Sequence, residues 1–292
     1  MFAALIVCAA ASAAAAEPPP AVPVLDVVRS NLEQSYTAPF PLLVTWKGGT
    51  VDPLWFEANL APHFLVGKNG WPIAIDLTPK IVLRMYRENS APVKTPSYMP
   101  RLTAYLLFTK ELAGRPVLYS SFTFGHHSNG QSGGTFLADG TVNHDTGDFA
   151  TNYLEAALYV ADGVASSWWV SPSLEWHPRV ATSEGLAGRY GFWRAHLAFA
   201  GFRGLLLDDK LSVRVSGILD HVEIEGDSAV TRVLRRVPVS VRYLVRFPTL
   251  GVGGYLSVYA GPDYYNVWFD RYVSVFQIGL AGDTSPRLPG VF

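Results

Sequence analysis

The chain has 292 residues and a formal net charge of −1; 49% of it is hydrophobic and only 16% charged. A soluble domain usually carries about 25% charged residues, so this composition, with 8 Trp, 14 Tyr and 16 Phe, argues against an ordinary water-facing surface. A near-neutral chain without a basic patch has no electrostatic hold on nucleic acid, and that class of partner is excluded.

Residues 1–16, MFAALIVCAAASAAAA, form an alanine-rich apolar run ending in small residues, which reads as a secretory signal peptide cut near Ala16, although the usual basic start is missing. Cys8 is the single cysteine. Its surroundings fit a lipoprotein signal poorly, and cleavage would remove disulfides, thiolate metal sites and a cysteine nucleophile together. Residues 17–38 read as a proline-rich periplasmic lead-in with no packed structure of its own. Beyond the signal no apolar run reaches about 20 residues, so no helical membrane span is expected. Export without such a span leaves the periplasm, secretion or the outer membrane.

From residue 39 to 292 the chain reads as one domain. Aromatic and β-branched segments of roughly ten residues alternate with Gly, Pro, Asp and Asn, and strands are expected at 39–47, 54–66, 72–87, 98–110, 116–128, 150–161, 167–177, 188–202, 209–219, 235–247, 252–261 and 268–281. Several have a clear period of two. Val239, Val241, Tyr243 and Val245 oppose Ser240, Arg242, Leu244 and Arg246; Leu211, Val213 and Val215 oppose Ser212, Arg214 and Ser216. Twelve such segments, apolar on one face and polar on the other, predict an all-β, 12-stranded antiparallel transmembrane β-barrel with both termini in the periplasm. A soluble β-sandwich or lipocalin-like barrel alternates equally well. The low charge, the aromatics near strand ends (Trp168, Trp169, Trp176, Trp193, Tyr264, Tyr265, Trp268) and the terminal Phe292 favour the membrane form, with arginines 214, 242 and 246 facing the lumen.

The chemistry concentrates in Phe122–Gly130, FTFGHHSNG. His126 and Ser128 are two positions apart on a strand, which puts them on one face about 6.6 Å apart along the chain. That face also carries Leu118, Phe122 and Phe124, an odd setting for hydrolysis unless the substrate is itself apolar. A serine needs a base to accept its proton and the base needs a third group to fix its tautomer. The turn Ser128-Asn129-Gly130 offers backbone N–H groups to an oxyanion.

HHSNG followed by TNYLEAALYV resembles the outer membrane phospholipase A family of Gram-negative bacteria, whose motif is His-x-Ser-Asn-Gly at a strand end with an Asn opening the next strand. The resemblance extends to ENSAPVKTPSYMP (88–100), SPSLEWHP (171–178) and SVYAGPDYYNVWFDRYVSVFQIGLA (257–281), covering roughly residues 39–281. It implies Ser128 as nucleophile, His126 as base, Asn152 as the orienting residue, and the amide of Gly130, beside Asn129, as oxyanion donor. The spacing from Ser128 to Asn152 is longer than the family's, which leaves Asn143 as an alternative; Asn152 is preferred because it alone has the strand context. A neutral Asn suits a lipid-facing site, where an ionised Asp would cost about 2 kcal/mol or more.

The resemblance also implies an active homodimer that binds calcium beside the oxyanion hole, largely through loop backbone carbonyls, with Gln131 and Asp148 at the matching positions, and through a serine side chain reached from the partner subunit's segment Ser90-Ala91-Pro92; if that serine belongs at 91, it is missing here. Asp139, Asp145 and Asp148 either add to that site or merely solvate the loop. His127 is expected to form hydrogen bonds in the lumen, and the remaining histidines have no zinc-site spacing. The expected function is therefore phospholipid acyl-ester hydrolysis in the outer membrane. A lipid A deacylase and a non-catalytic barrel or porin are the competing readings.

Overall fold

A computed structural model describes residues 24–29, 32–45, 53–68, 71–109, 116–162, 168–201, 208–222, 235–247 and 252–282. The expected signal peptide and the start of the lead-in lie outside the described residues. Among the described ones the sheet contains β1 (Ser35–Pro39), β2 (Leu42–Thr45), β3 (Leu54–Leu60), β4 (Phe64–Gly67), β5 (Ile73–Tyr86), β6 (Val93–Leu107) and β7 (Val117–Ser128). It continues through β8 (Ala150–Ala161), β9 (Trp169–Trp176), β10 (Trp193–Gly201), β11 (Asp208–Ile218), β12 (Val239–Phe247), β13 (Val252–Pro262) and β14 (Tyr272–Gly282).

The hydrogen-bonding order runs β1, β3, then β5 to β14 in sequence, and β1 returns to pair with β14, with Ser35 opposite Gly282. This is a closed 12-stranded antiparallel barrel, and closure removes the edges of the sheet. The remaining two strands extend ring strands past an interruption. β2 follows β1 after Phe40, at φ 47°, and pairs with β14; β4 follows β3 after Ala61-Pro62-His63 and pairs with β5. The first two expected segments are thus single strands, each broken once.

Alternation sorts the two faces. Leu77, Leu102, Phe122, Phe124, Leu197, Val258 and Ile278 are exposed on the outside, while Thr78, Thr103, Thr123, His196 and Gln277 are buried inside. Trp168, Trp176 and Trp193 remain exposed at strand ends, the place of an interfacial aromatic girdle. Tyr264, Tyr265 and Trp268 do not belong to that girdle: they lie in the β13–β14 connection, which folds inward through a 3-10 turn at Asn266–Asp270. That turn displaces the start of the last strand from the expected 268 to Tyr272.

Polar side chains fill the interior around a cavity of about 1250 Å³. Arg84, itself 1% exposed, donates from Nε to Glu57 at 2.8 Å and grips Asp263 with both terminal nitrogens at 2.8 and 2.9 Å. Glu33 accepts from Lys80 at 2.9 Å and Arg101 at 3.0 Å. Buried charges persist only when paired in this way. The described part of the expected lead-in is packed rather than loose. A helical turn, α1 (Val24–Arg29), buries Leu25 and Val28 with Leu32 against Ala74, beside Leu65, Tyr105 and Leu107, at the end of the barrel opposite the long loops.

The long connections 129–149, 177–192 and 263–271 gather at one rim. Phe149, Leu186, Phe192, Tyr265, Val267, Trp268 and Phe269 form a hydrophobic cluster there with Val82. The loops are therefore packed against one another, and β7, β8 and β9 deliver their ends into a built rim.

Candidate active site

The outward face of β7 runs Phe122, Phe124, His126, Ser128; the two phenylalanines are 53% and 50% exposed, while Thr123 and His127 on the other face are buried. β8 pairs with β7 so that His126 stands opposite Asn152 and Ser128 opposite Ala150. Tyr153 holds this register: its ring lies over Gly125, the residue opposite it, where any Cβ would collide with the ring.

His126 Nδ1 lies 2.8 Å from Asn152 Oδ1. The amide oxygen can only accept, so the ring donates Nδ1–H and keeps its lone pair on Nε2, the nitrogen a base requires. Asn152 Nδ2 in turn donates to the carbonyls of Val180 and Ala181 at 3.1 and 3.3 Å. Ser128, two residues along on the same face, is half-buried at the last position of the strand.

Asn143 is not at this site. Its amide donates to the Gly134 carbonyl and Thr146 Oγ1, both at 3.1 Å, and its Oδ1 accepts the N–H of Thr146 at 3.1 Å, which closes a turn inside the 129–149 loop. Gly130 follows Ser128-Asn129 with φ +70°, a left-handed conformation that glycine adopts freely. Its N–H takes part in none of the hydrogen bonds formed among the described residues. Asn129 contributes differently from the expectation. Its backbone N–H is spent on the Phe149 carbonyl at 3.0 Å, and its side chain bonds the Gly147 carbonyl at 2.8 Å and the Phe149 N–H at 2.9 Å. It ties the two ends of the loop together, and Gly130 alone has the free amide.

The side chains of Gln131 and Asp148, two of the expected calcium positions, are hydrogen-bonded within the rim loops. Gln131 accepts from Asn129 Nδ2 at 3.2 Å and donates to the Asp145 carbonyl at 3.1 Å. Both Asp148 oxygens receive hydroxyls, from Thr135 at 2.7 Å and Ser183 at 2.6 Å. Ser90 sits exposed on the β5–β6 turn, beyond Tyr98, the β6 residue that faces Ser128. Among the described residues no cluster of three acidic or histidine side chains is placed to bind a metal.

Behind the pair, on the lumen side, His177 Nε2 meets Glu175 at 2.7 Å and its Nδ1 meets Thr151 Oγ1 at 3.0 Å. Burial pushes the His177 imidazole below the usual histidine range, against the opposing pull of Glu175. His127 packs edge-on against Phe149 at 4.8 Å and its Nε2 has no hydrogen-bond partner among the described residues, so it is a packing residue more than the hydrogen-bonding one expected.

No protein-family model matches this chain, and no curated protein matches it in sequence. Solved structures do. Outer membrane phospholipase A from Escherichia coli superimposes with a TM-score of 0.60 at 15% identity, over 86% of this chain and 90% of that one. The chain has the outer membrane phospholipase A fold. A calcium-bound dimer of the Salmonella typhi outer membrane phospholipase gives a TM-score of 0.59 at 13% identity, covering 91% and 93%. An E. coli variant with an active-site asparagine replaced by alanine matches at 14% identity with a TM-score of 0.60, over 86% and 90%.

The two carbonyls on Asn152 and the Ser183 hydroxyl were not legible beforehand. A backbone carbonyl leaves no trace in residue type, and Ser183 lies in an irregular stretch with no motif.

Proposed function

We propose that this protein is an outer membrane phospholipase A, a serine esterase that cleaves acyl esters of glycerophospholipids with Ser128, His126 and Asn152. The observation that carries the reading is the 2.8 Å contact between His126 Nδ1 and Asn152 Oδ1, on an outward face continuous with Phe122 and Phe124. That face presents the nucleophile to lipid, so a substrate already in the membrane reaches it without leaving the apolar phase.

His126 Nε2 takes the Ser128 proton as Oγ attacks the ester carbonyl. The oxyanion forms beside the Gly130 N–H, which no other described group occupies. Collapse expels the lysophospholipid alkoxide, which takes the proton from the imidazolium, and leaves an acyl group on Ser128. Water, deprotonated by the same imidazole, then releases the fatty acid and restores the hydroxyl. Asn152 accepts the Nδ1–H throughout, and its neutrality avoids a bare charge at the lipid boundary.

The E. coli protein's active-site asparagine supports a carboxamide in the third position. Location in a Gram-negative outer membrane and an active homodimer belong to the same proposal, in keeping with the dimeric Salmonella structure. Calcium is bound in that structure; here the Gln131 and Asp148 side chains are hydrogen-bonded within the rim loops, and no step is assigned to calcium. The test is fatty-acid release from phospholipid by the purified full chain, with calcium or a chelator, beside Ser128→Ala. Release abolished by the substitution supports the reading. Preference for lipid A would favour a deacylase, and no Ser128-dependent release would leave a non-catalytic barrel.

A further inference from the structure

A carboxamide has two ends of similar shape and opposite polarity, and only one of them helps a base. If Asn152 turned its NH2 toward His126, Nδ1 would have to accept, the ring proton would move to Nε2, and no lone pair would face Ser128. Something must hold the amide the right way round. The carbonyls of Val180 and Ala181, at 3.1 and 3.3 Å from Asn152 Nδ2, can only accept, so they tolerate the NH2 end and repel the oxygen.

We propose that the loop between β9 and β10 is the positioning element of the catalytic pair: the Val180 and Ala181 carbonyls select the orientation of the Asn152 amide and thereby the tautomer of His126. This rests on the reading of His126 as the base. Ala181 has φ +51°, a left-handed conformation unfavourable for a residue with a Cβ, so its surroundings must hold it there. Ser183 supplies the hold. Its N–H donates to the Ala150 carbonyl at 2.8 Å, its Oγ accepts the Ala150 N–H at 2.7 Å, and its hydroxyl donates to Asp148 at 2.6 Å. Thr182 Oγ1 braces the loop internally on the Pro178 carbonyl at 3.0 Å. The loop is thus fastened to β8 two residues before Asn152, and Asp148, expected as a metal ligand, serves that fastening.

The experiment compares kcat and KM across pH for the full chain in phosphatidylcholine micelles, as wild type, Ala181→Pro, Ser183→Ala, Arg179→Ala and Ser128→Ala. Proline fixes φ near −65°, so the Val180 and Ala181 carbonyls can no longer both face Asn152 as they do at φ +51°. Ala181→Pro is expected to lower kcat roughly 10- to 100-fold with KM nearly constant. It should also move the acid limb of kcat to lower pH, because an Nδ1–H that has lost its acceptor stabilises the imidazolium less. Tyr98 of β6 is the titratable group on the neighbouring strand opposite Ser128; His127, Tyr153 and His177 lie on the lumen side and Arg179 is exposed. Ser183→Ala should move kcat and the limb the same way by less, and Arg179→Ala should change neither.

Loop variants with wild-type kcat and limb, or a loss of kcat without movement of the limb, would overturn the proposal while leaving the triad standing. Should Ala181→Pro fail to form a heat-resistant barrel, Ser183→Ala decides by the same criteria. Inactive wild type, or activity surviving in Ser128→Ala, overturns the catalytic reading and this proposal with it.

Discussion

At Gly130 two demands meet in one residue: a backbone turned to φ +70° and an amide left free beside Ser128. A Cβ there would sit 3.6 Å from the Tyr98 ring, an ordinary contact, so the cost of Gly130→Ala is in the backbone and not in packing. We expect a stability loss of about 1 kcal/mol, measured by denaturant unfolding in detergent, with a larger proportional fall in kcat as the turn relaxes and carries the amide away. Asn129 next to it illustrates what residue type leaves open. Its amide looks equally suited to an oxyanion, yet a side chain with donors and acceptors at a loop's neck is drawn into bridging that loop, as its bonds to Gly147 and Phe149 do. The choice between Asn152 and Asn143 is of the same kind: strand context points to Asn152, and only the register places it opposite His126.

That register is a property of paired strands. Because successive side chains alternate in direction, a slip of one residue between β7 and β8 would move Asn152 away from His126 and turn its partner inward. Tyr153 over Gly125 resists the slip, and Gly125→Ala is expected to destabilise the barrel by about 1 to 3 kcal/mol, with reduced activity in the fraction that folds; unfolding midpoints and specific activity measure the two. The strands from β5 onward were readable because their faces differ sharply. The inward 3-10 turn at Asn266–Asp270 was not, since its anchors are distant in sequence, Arg84 on Asp263 and the Thr95 carbonyl on Asn266, and the break at Phe40 has no turn motif to announce it.

The β9–β10 loop also has its own pH dependence. His177 is held below the ordinary histidine range by burial, so it binds a proton less readily in the folded loop than when the loop opens. Its contribution is present above about pH 6.5 and is lost as pH falls below that value. Protease cleavage within 177–192 should therefore accelerate on acidification in the wild type, and His177→Gln should flatten the response.

The closed sheet separates two environments with opposite requirements, and each side chain is sorted by which one it meets. Low charge and alternation made that division legible from the sequence; which lumen charges pair with which was not, because partners such as Arg84 and Asp263 are 179 residues apart. Arg84 joins Glu57 to Asp263 across the interior, so Arg84→Met would strand two buried carboxylates and cost about 3 to 5 kcal/mol, seen as a lowered unfolding midpoint at neutral pH. The same sorting explains why a histidine, a serine and an asparagine on the outer face stand out: nothing about barrel stability calls for them beside Phe122 and Phe124.

The most direct measurement is covalent capture of the nucleophile in the folded barrel. Reconstituted protein exposed to a long-chain alkyl sulfonyl fluoride should carry one sulfonyl adduct on the peptide containing Ser128, with fluoride released from the reagent, and His126→Ala should abolish the adduct while leaving the barrel folded. An unlabelled Ser128, or labelling equally fast without His126, would contradict the assignment of a lipid-facing serine esterase.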